Sequence, residues 1–319
     1  MTGAAGFIGS HLVERLVGLG ARVRAFVRYD SRRDVGLLRF TSVLRDIEVV
    51  AGDLRDPDAV RAAAADCATI FHLGALIAIP YSYVHPREVV ETNVLGTLNV
   101  LEAVRAARCE RLIHTSTSEV YGTALRVPID EQHPLQGQSP YSASKIGADK
   151  LVESFARSFG TPALTVRPFN TFGPRQSARA VIPTIISQAL AGKPVKLGSR
   201  HPTRDFTFVG DTVAGFVAAG EAPETALREE INLGTGTEIS IGDLATRIGR
   251  LLGRPIEVVT DEQRVRPAPS EVERLRADPS KAKRLLGWEA RVPLDAGLER
   301  TIEWMRDHLD LYDGDLYQV

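Results

Sequence analysis

"MTGAAGFIGSHLVERL" (Met1–Leu16) contains three glycines, Gly3, Gly6 and Gly9, in G-x-x-G-x-x-G spacing. Apolar residues then recur at Ile8, Leu12, Leu16 and Leu19, which is helical spacing. A glycine loop leading straight into a helix lets backbone N–H groups approach a pyrophosphate closely, and the helix N-terminus adds partial positive charge. Such a loop hangs from the end of a buried β-strand, so the reading predicts apolar residues upstream of Met1 that supply that strand.

Up to about residue 170 short apolar strands alternate with amphipathic helices. Arg22 to Val27, Ile47 to Gly52, Thr69 to Leu73, Arg111 to Thr115 and Ala163 to Phe169 read as strands, and Thr92 to Ala107 and Ser142 to Phe159 as helices. This alternation predicts an α/β fold with a doubly wound parallel sheet covered on both faces. Helices are expected in the second half at Ile182 to Ala191, Asp211 to Glu221, Ile241 to Leu252, Pro279 to Leu286 and Leu294 to Leu309. Ser240 followed by Asp243 resembles a capping box, and Asp278-Pro279 places an acid before a first-turn proline. The Pro- and Arg-rich run Arg264 to Ser270 reads as a loop.

Composition excludes several function classes. The 319 residues are 44% hydrophobic and 25% charged, and 39 Lys and Arg nearly balance 40 Asp and Glu, so the electrostatic footprint of a nucleic-acid binder is missing. Cys67 and Cys109 are the only cysteines and lack metal-ligand spacing, which argues against a disulfide framework or a metal site. With no apolar run of membrane-spanning length and no leader pattern, a cytoplasmic protein without membrane or nucleic-acid partners is expected.

Three further stretches narrow the reading: "HTSTSEVYG" (His114–Gly122), "SPYSASKIGADKL" (Ser139–Leu151) and "RPFNTFGPRQ" (Arg167–Gln176). Together with the glycine loop, and in this order, they resemble the extended short-chain dehydrogenase/reductase family, in its NAD(P)-dependent nucleotide-sugar epimerase and 4,6-dehydratase branch. The resemblance runs the length of the chain. It implies a Rossmann-type domain over residues 1–170 with a returning segment at about 205–236. A smaller, discontinuous sugar-nucleotide domain would take 171–204 and 237–319.

Tyr141 and Lys145 lie four apart on a predicted helix and so share a face. They match the family's Tyr-x-x-x-Lys pair, in which an adjacent ammonium favours the phenolate of a base that otherwise titrates near pH 10. Thr117 matches the hydroxyl that bonds the reacting sugar oxygen. The triplet Thr117-Ser118-Glu119 resembles GDP-mannose 4,6-dehydratase more than dTDP-glucose 4,6-dehydratase, which has Asp at the place of Ser118. The resemblance makes Glu119 the candidate base for the sugar C5 proton and leaves it to serve water loss as well. The catalytic set is thus Thr117, Ser118, Glu119, Tyr141 and Lys145.

For the cofactor, the resemblance assigns Gly3, Gly6, Phe7, Ile8 and Gly9 to the pyrophosphate and Asp53 and Leu54 to the adenine. His72 and the following Leu73, Gly74 and Ala75 would line the site, with Gly74 standing where alanine is expected. Arg28, at the end of the second family strand, favours the 2′-phosphate of NADP over NAD. A redox-neutral cycle implies a tightly held dinucleotide. Asn170 and Arg175 match positions facing the sugar nucleotide, and Arg204 and Arg266 match arginines that clamp its diphosphate, a role suited to a planar fork of donors. "QSARAVIP" (Gln176–Pro183) resembles a subgroup acting on amino-sugar nucleotides, which points to UDP-N-acetylglucosamine, then to GDP-sugars. UDP-glucuronate decarboxylase, a nucleotide-sugar 4-epimerase and a catalytically silent dinucleotide sensor are the rival readings. A homodimer is implied through helices Thr92 to Ala107 and Ser142 to Phe159, with Leu98, Leu101, Leu151 and Phe155 as candidate contacts.

Overall fold

A computed structural model describes residues 1–312. Its strands are β1 (Arg24–Arg28), β2 (Glu48–Gly52), β3 (Thr69–His72), β4 (Arg111–Thr115), β5 (Ala163–Pro168), β6 (Asn170–Phe172), β7 (Val195–Leu197), β8 (Thr203–Arg204), β9 (Phe206–Phe208), β10 (Glu230–Leu233), β11 (Ile239–Ser240) and β12 (Val258–Thr260). The helices are α1 (Phe7–Gly18), α2 (Pro57–Ala64), α3 (Ile79–Val84), α4 (Pro86–Val90), α5 (Gly96–Ala106), α6 (Pro140–Phe159), α7 (Val181–Leu190), α8 (Val209–Gly220), α9 (Ile241–Leu251), α10 (Ser280–Leu286) and α11 (Leu294–Asp307).

The main sheet is parallel throughout. One part pairs β1 with β2, and the other runs β10-β5-β4-β3. Thr2 joins the two parts: it bridges Phe26 of β1 and His72 of β3, both in parallel sense. Its N–H donates to Phe71 O, its carbonyl accepts from Leu73 N, and Met1 O accepts from Phe26 N. The glycine loop therefore leaves from the middle of the sheet, where a doubly wound fold places its ligand crevice. β10 returns the chain to the sheet beside β5 after α8.

Burial follows the apolar patterning. β5 is buried along nearly its whole length, as a strand covered on both faces must be. One face packs Val100, Leu101 and Val104 of α5 and Val152 and Phe155 of α6 against Phe26, Ile70 and Leu112. The opposite face packs Leu12 of α1 and Phe216 of α8 on Phe71, Ile113, Leu164 and Val166. That cluster continues into Ile185 of α7, Ile248 of α9 and Ile302 of α11. Leu101 and Phe155 are thus absorbed inside one chain, which corrects their assignment as surplus apolar contacts for a second copy.

Local signals account for most element ends. Ser139 caps α6 by accepting from Ser142 N while Ser142 Oγ accepts from Ser139 N, Pro140 occupies the first turn, and Gly160 closes the helix at φ +68°. Ser240 Oγ caps α9 by accepting from Asp243 N. Pro279 is itself the cap of α10, and Asp278 supports the turn by accepting from Ser280 N. The helix expected over Thr92 to Ala107 begins earlier. α4 continues through a π-helical stretch, Glu91–Leu95, into α5. Among the described residues no helix is long and apolar enough to cross a membrane. Phe216 of α8 is fully buried in the cluster that covers the α1 and α8 face of the sheet. Phe216→Ala is expected to cost about 3–5 kcal/mol, read as a lower urea midpoint with an unchanged slope.

Candidate active site

The crevice is built where the glycine loop meets the C-terminal end of β3. Gly3, at φ +68°, lies so close to Leu73 and Gly74 that a Cβ there would stand 2.7 Å from Gly74 N, and one on Gly9 would collide with the Gly3 carbonyl. At Gly74, where the resemblance predicts alanine, a Cβ would meet Leu54 Cδ1 at 2.8 Å, the mobile end of a side chain, so the packing does not by itself exclude alanine there. Gly6 caps α1 without a side-chain partner, so the N–H groups of the first turn of α1 face the crevice free of any side-chain cap. This cradle fits a pyrophosphate. His72 does not line it, because its ring is held by Thr2 Oγ1 at 2.7 Å on Nδ1 and by Thr97 Oγ1 at 3.0 Å on Nε2.

Arg28 is exposed at the end of β1. Asp53, just beyond β2, receives Arg55 Nη2 at 2.7 Å and Nε at 3.0 Å, and this hydrogen bonding holds its carboxyl below the usual range. Both residues stand at the carboxyl ends of adjacent strands.

One wall of the crevice is formed by α6 and the end of β4. Tyr141 and Lys145 are both buried. Burial raises the Tyr141 phenol above its ordinary value, the nearby Glu119 carboxylate raises it further, and a hydrogen bond with the Thr117 side chain opposes both. Burial pushes the Lys145 ammonium down to about 8, and Asp149 partly offsets this. Lys145 Nζ donates to Thr115 O at 2.7 Å. Thr117 also caps the turn Ser118–Tyr121 by accepting from Glu119 N at 3.2 Å, which turns the Glu119 side chain onto the same wall. Ser118 is buried within that turn.

On the facing side Arg204 and Arg266 converge with two carboxylates. Arg266 Nη1 lies 4.0 Å from Glu119 Oε2 and 3.7 Å from Glu271 Oε1, and Arg204 Nη2 lies 3.6 Å from Glu271 Oε1. Arg266 Nη1 is buried without a hydrogen bond, and so is Asn170 Oδ1. Unpartnered buried donors and acceptors are costly, and their presence here fits a polar, anionic ligand. Arg175 is not part of this group. Its guanidinium pairs with Glu14 of α1 at 2.7 and 3.2 Å and donates to Phe40 O at 3.1 Å, so it fastens the segment after β6 to α1 rather than facing a sugar.

The sequence reading passed over Asn93, Asp149, Arg167 and Glu271. Asn93, in the π-helical stretch, donates to Leu76 O and Ser144 Oγ and accepts from Leu76 N, tying the loop after β3 to α6. Asp149 was legible as the position one turn beyond Lys145 on the same helix face. Glu271 follows the loop that carries Arg266 and gave no comparable signal. Among the described residues no group of three His, Cys, Asp or Glu could hold a metal ion.

The chain is similar over nearly its whole length to known nucleotide-sugar enzymes. The family model described as GDP-mannose 4,6 dehydratase matches residues 1–301. A UDP-glucose 4-epimerase of Mycolicibacterium smegmatis is 35% identical over 96% of this chain and 98% of its own. A dTDP-glucose 4,6-dehydratase of Xanthomonas campestris is 33% identical over 95% and 92%. The structure of the dTDP-glucose 4,6-dehydratase DesIV from Streptomyces venezuelae, a double mutant with NAD and DAU bound, superposes with a TM-score of 0.85 at 28% identity, covering 98% of this chain and 97% of that one.

Arg175→Ala is expected to remove a half-buried charged pair and lower stability by about 1.5–3 kcal/mol. Thermal unfolding checks this; an unchanged melting temperature would mean that Arg175 is free for another role. The chain belongs to the NAD-dependent nucleotide-sugar epimerase/dehydratase family of extended short-chain dehydrogenases/reductases.

Proposed function

We propose that this enzyme is a nucleotide-sugar 4,6-dehydratase. The observation that carries the reading is Glu119. It is a carboxylate with a side chain only 12% exposed, on the same wall as Thr117 and Tyr141, and close enough to Tyr141 to influence its phenol. A 4-epimerase moves a hydride and one hydroxyl proton and requires no further base, whereas elimination across C5 and C6 does.

The dinucleotide is held by the cradle of Gly3, Gly6, Phe7, Ile8 and Gly9, with Asp53, Leu54, Leu73, Gly74 and Ala75 along its length; when bound it supplies a hydride acceptor that gives the hydride back. Tyr141 takes the C4 hydroxyl proton, with Thr117 bonding the same oxygen and Lys145 stabilising the phenolate. The resulting C4 ketone acidifies the C5 hydrogen, Glu119 removes it, and Glu119 in its protonated form then supplies the proton with which the C6 hydroxyl leaves as water; the hydride would return to C6 and the proton taken by Tyr141 would be returned at C5, which closes the cycle. Arg204 and Arg266 hold the diphosphate and Asn170 supports the sugar side. The substrate we infer is a UDP-amino sugar such as UDP-N-acetylglucosamine, with GDP-sugars next. The lean to NADP rests on Arg28, exposed at the end of β1, whereas DesIV holds NAD, and parallel titrations with the two dinucleotides decide between them.

UDP-glucuronate decarboxylation is a second reading, favoured by Arg266 Nη1 beside Glu119, a buried cationic nitrogen without a hydrogen bond and suited to a C6 carboxylate. A panel of UDP-, GDP- and dTDP-sugars with UDP-glucuronate separates the two: loss of water by mass spectrometry supports the first, and release of CO₂ the second. A homodimer belongs to the same reading, supported by Leu95 and Phe159, which are 49% and 53% exposed; a monomer by light scattering at micromolar concentration would count against it.

Because hydride leaves and returns within one turnover, purified protein should contain dinucleotide and need no added oxidant. Stoichiometric build-up of reduced cofactor during wild-type turnover would sink the reading. Glu119→Gln should lower dehydration by about 10²–10⁴ while C4 oxidation survives. The expected signs are absorbance of reduced nicotinamide, a trapped 4-keto sugar and little C5 exchange with deuterated water. Tyr141→Phe should show none of these. Dehydration by Glu119→Gln at nearly the wild-type rate would return the assignment to a 4-epimerase.

A further inference from the structure

A buried carboxylate with no part in the mechanism above lies one turn beyond Lys145. Asp149 is 4% exposed, and its two oxygens collect donors from two strands. Oδ1 engages His114 Nε2 of β4 at 3.2 Å; Oδ2 accepts from Ser116 Oγ at 2.8 Å and from Arg167 Nε and Nη2 of β5 at 3.2 and 3.0 Å. His114 and Ser116 flank Thr115, whose carbonyl receives Lys145 Nζ, and Thr117 follows directly. The carboxylate therefore pins both neighbours of the one backbone acceptor that Lys145 uses, and it does so from the helix that carries Lys145.

We propose that Asp149 is a positioning residue that holds the end of β4 against α6 and serves as the counter-charge keeping Lys145 in its ammonium form. The step concerned, proton removal by Tyr141 beside Lys145, is common to the dehydratase, epimerase and decarboxylase readings, so the proposal does not depend on the choice among them.

The charges around Lys145 make Asp149 the decisive one. His114 of β4 and His72 of β3 face it, and burial drives both imidazoles to titrate below their ordinary value, so both are neutral near pH 7. Arg167 of β5 is spent on Asp149 and on Tyr121 Oη, at 3.1 Å. Tyr141, on its own helix, is a neutral phenol until it gives up its proton. Asp149 is thus the anion that acts on an ammonium otherwise stripped of water. No ion pair or hydrogen bond joins the two side chains, so Asp149 acts on Lys145 through space from the next turn of α6, where an opposite charge favours the ammonium form.

The test reads Lys145 directly. The chain has six lysines, Lys145, Lys150, Lys193, Lys196, Lys281 and Lys283. In protein labelled with [¹³C]lysine at the ε carbon, the Lys145 resonance is identified by its absence from Lys145→Met. In the full chain as purified it should titrate with a midpoint of about 8. Asp149→Asn should move the midpoint down by about one pH unit or more. Because Asp149→Asn leaves Arg167 buried without an anion and can unfold the protein, the double variant Asp149→Asn/Arg167→Met removes both charges and is expected to fold with the same lowered midpoint. Asp149→Glu, which keeps the charge, should keep the midpoint near that of the wild type. A double variant that folds and titrates like the wild type overturns the proposal. If the double variant does not fold, Asp149→Glu decides: a midpoint lowered by about one pH unit or more in that variant, which keeps the charge, overturns the proposal.

Discussion

The pair between Asp149 and Arg167, with side chains each 3% exposed, is the interaction on which the working wall of this enzyme depends. Removing two charges from water costs several kcal/mol per ion, and the cost is recovered only when the geometry is good and the remaining polar atoms are satisfied. Here it is: the carboxylate takes four protein donors, and the guanidinium reaches Tyr121 Oη, which itself donates to Asn232 Oδ1 of β10. Burial alone would raise the Asp149 carboxyl, but the His114 hydrogen bond and the Arg167 and Lys145 charges hold it down at about 2. The network runs from α6 through β4 and β5 to β10, so the helix bearing Tyr141 and Lys145 cannot slide along the sheet without breaking it.

A second constraint is steric. The glycine loop fits because the backbone at Gly3 lies directly against Leu73 and Gly74, with Thr2 Oγ1 accepting from Gly74 N at 3.0 Å. Local glycine chemistry and sheet topology thus make the same demand, and the first turn of α1 stays open to an anion as a result. Arg175 adds a clamp from the other direction by tying the segment after β6 to Glu14 on α1.

Much of this was legible in the sequence because it depends on short-range rules. Alternating strands and helices, the Ser240 cap of α9 and the Tyr141–Lys145 spacing each follow from residues a few positions apart. What escaped depends on contacts far apart in the chain. Arg175 looked like a substrate arginine until α1 placed Glu14 beside it, 161 residues away. Leu101 and Phe155 looked surplus until a single core absorbed both. Asn93 sits in a π-helical stretch that helical periodicity does not announce, and its three hydrogen bonds reach a loop and a helix on either side. Glu271 acquires meaning only through its approach to Arg204 and Arg266.

The remaining step concerns how one scaffold supports several reactions. In the proposed reading the cradle, Tyr141, Lys145 and the Asp149 network serve the removal and return of a hydride, and nothing in them selects what happens in between. That selection falls to side chains grafted onto the wall. Glu119 is held there by the turn that Thr117 caps, and Arg266 approaches it from a loop of the facing side at 4.0 Å. Glu119, held by a short turn, and Arg266, carried on a loop, can therefore vary from one relative to another without disturbing the Asp149 network that sets Lys145 against β4.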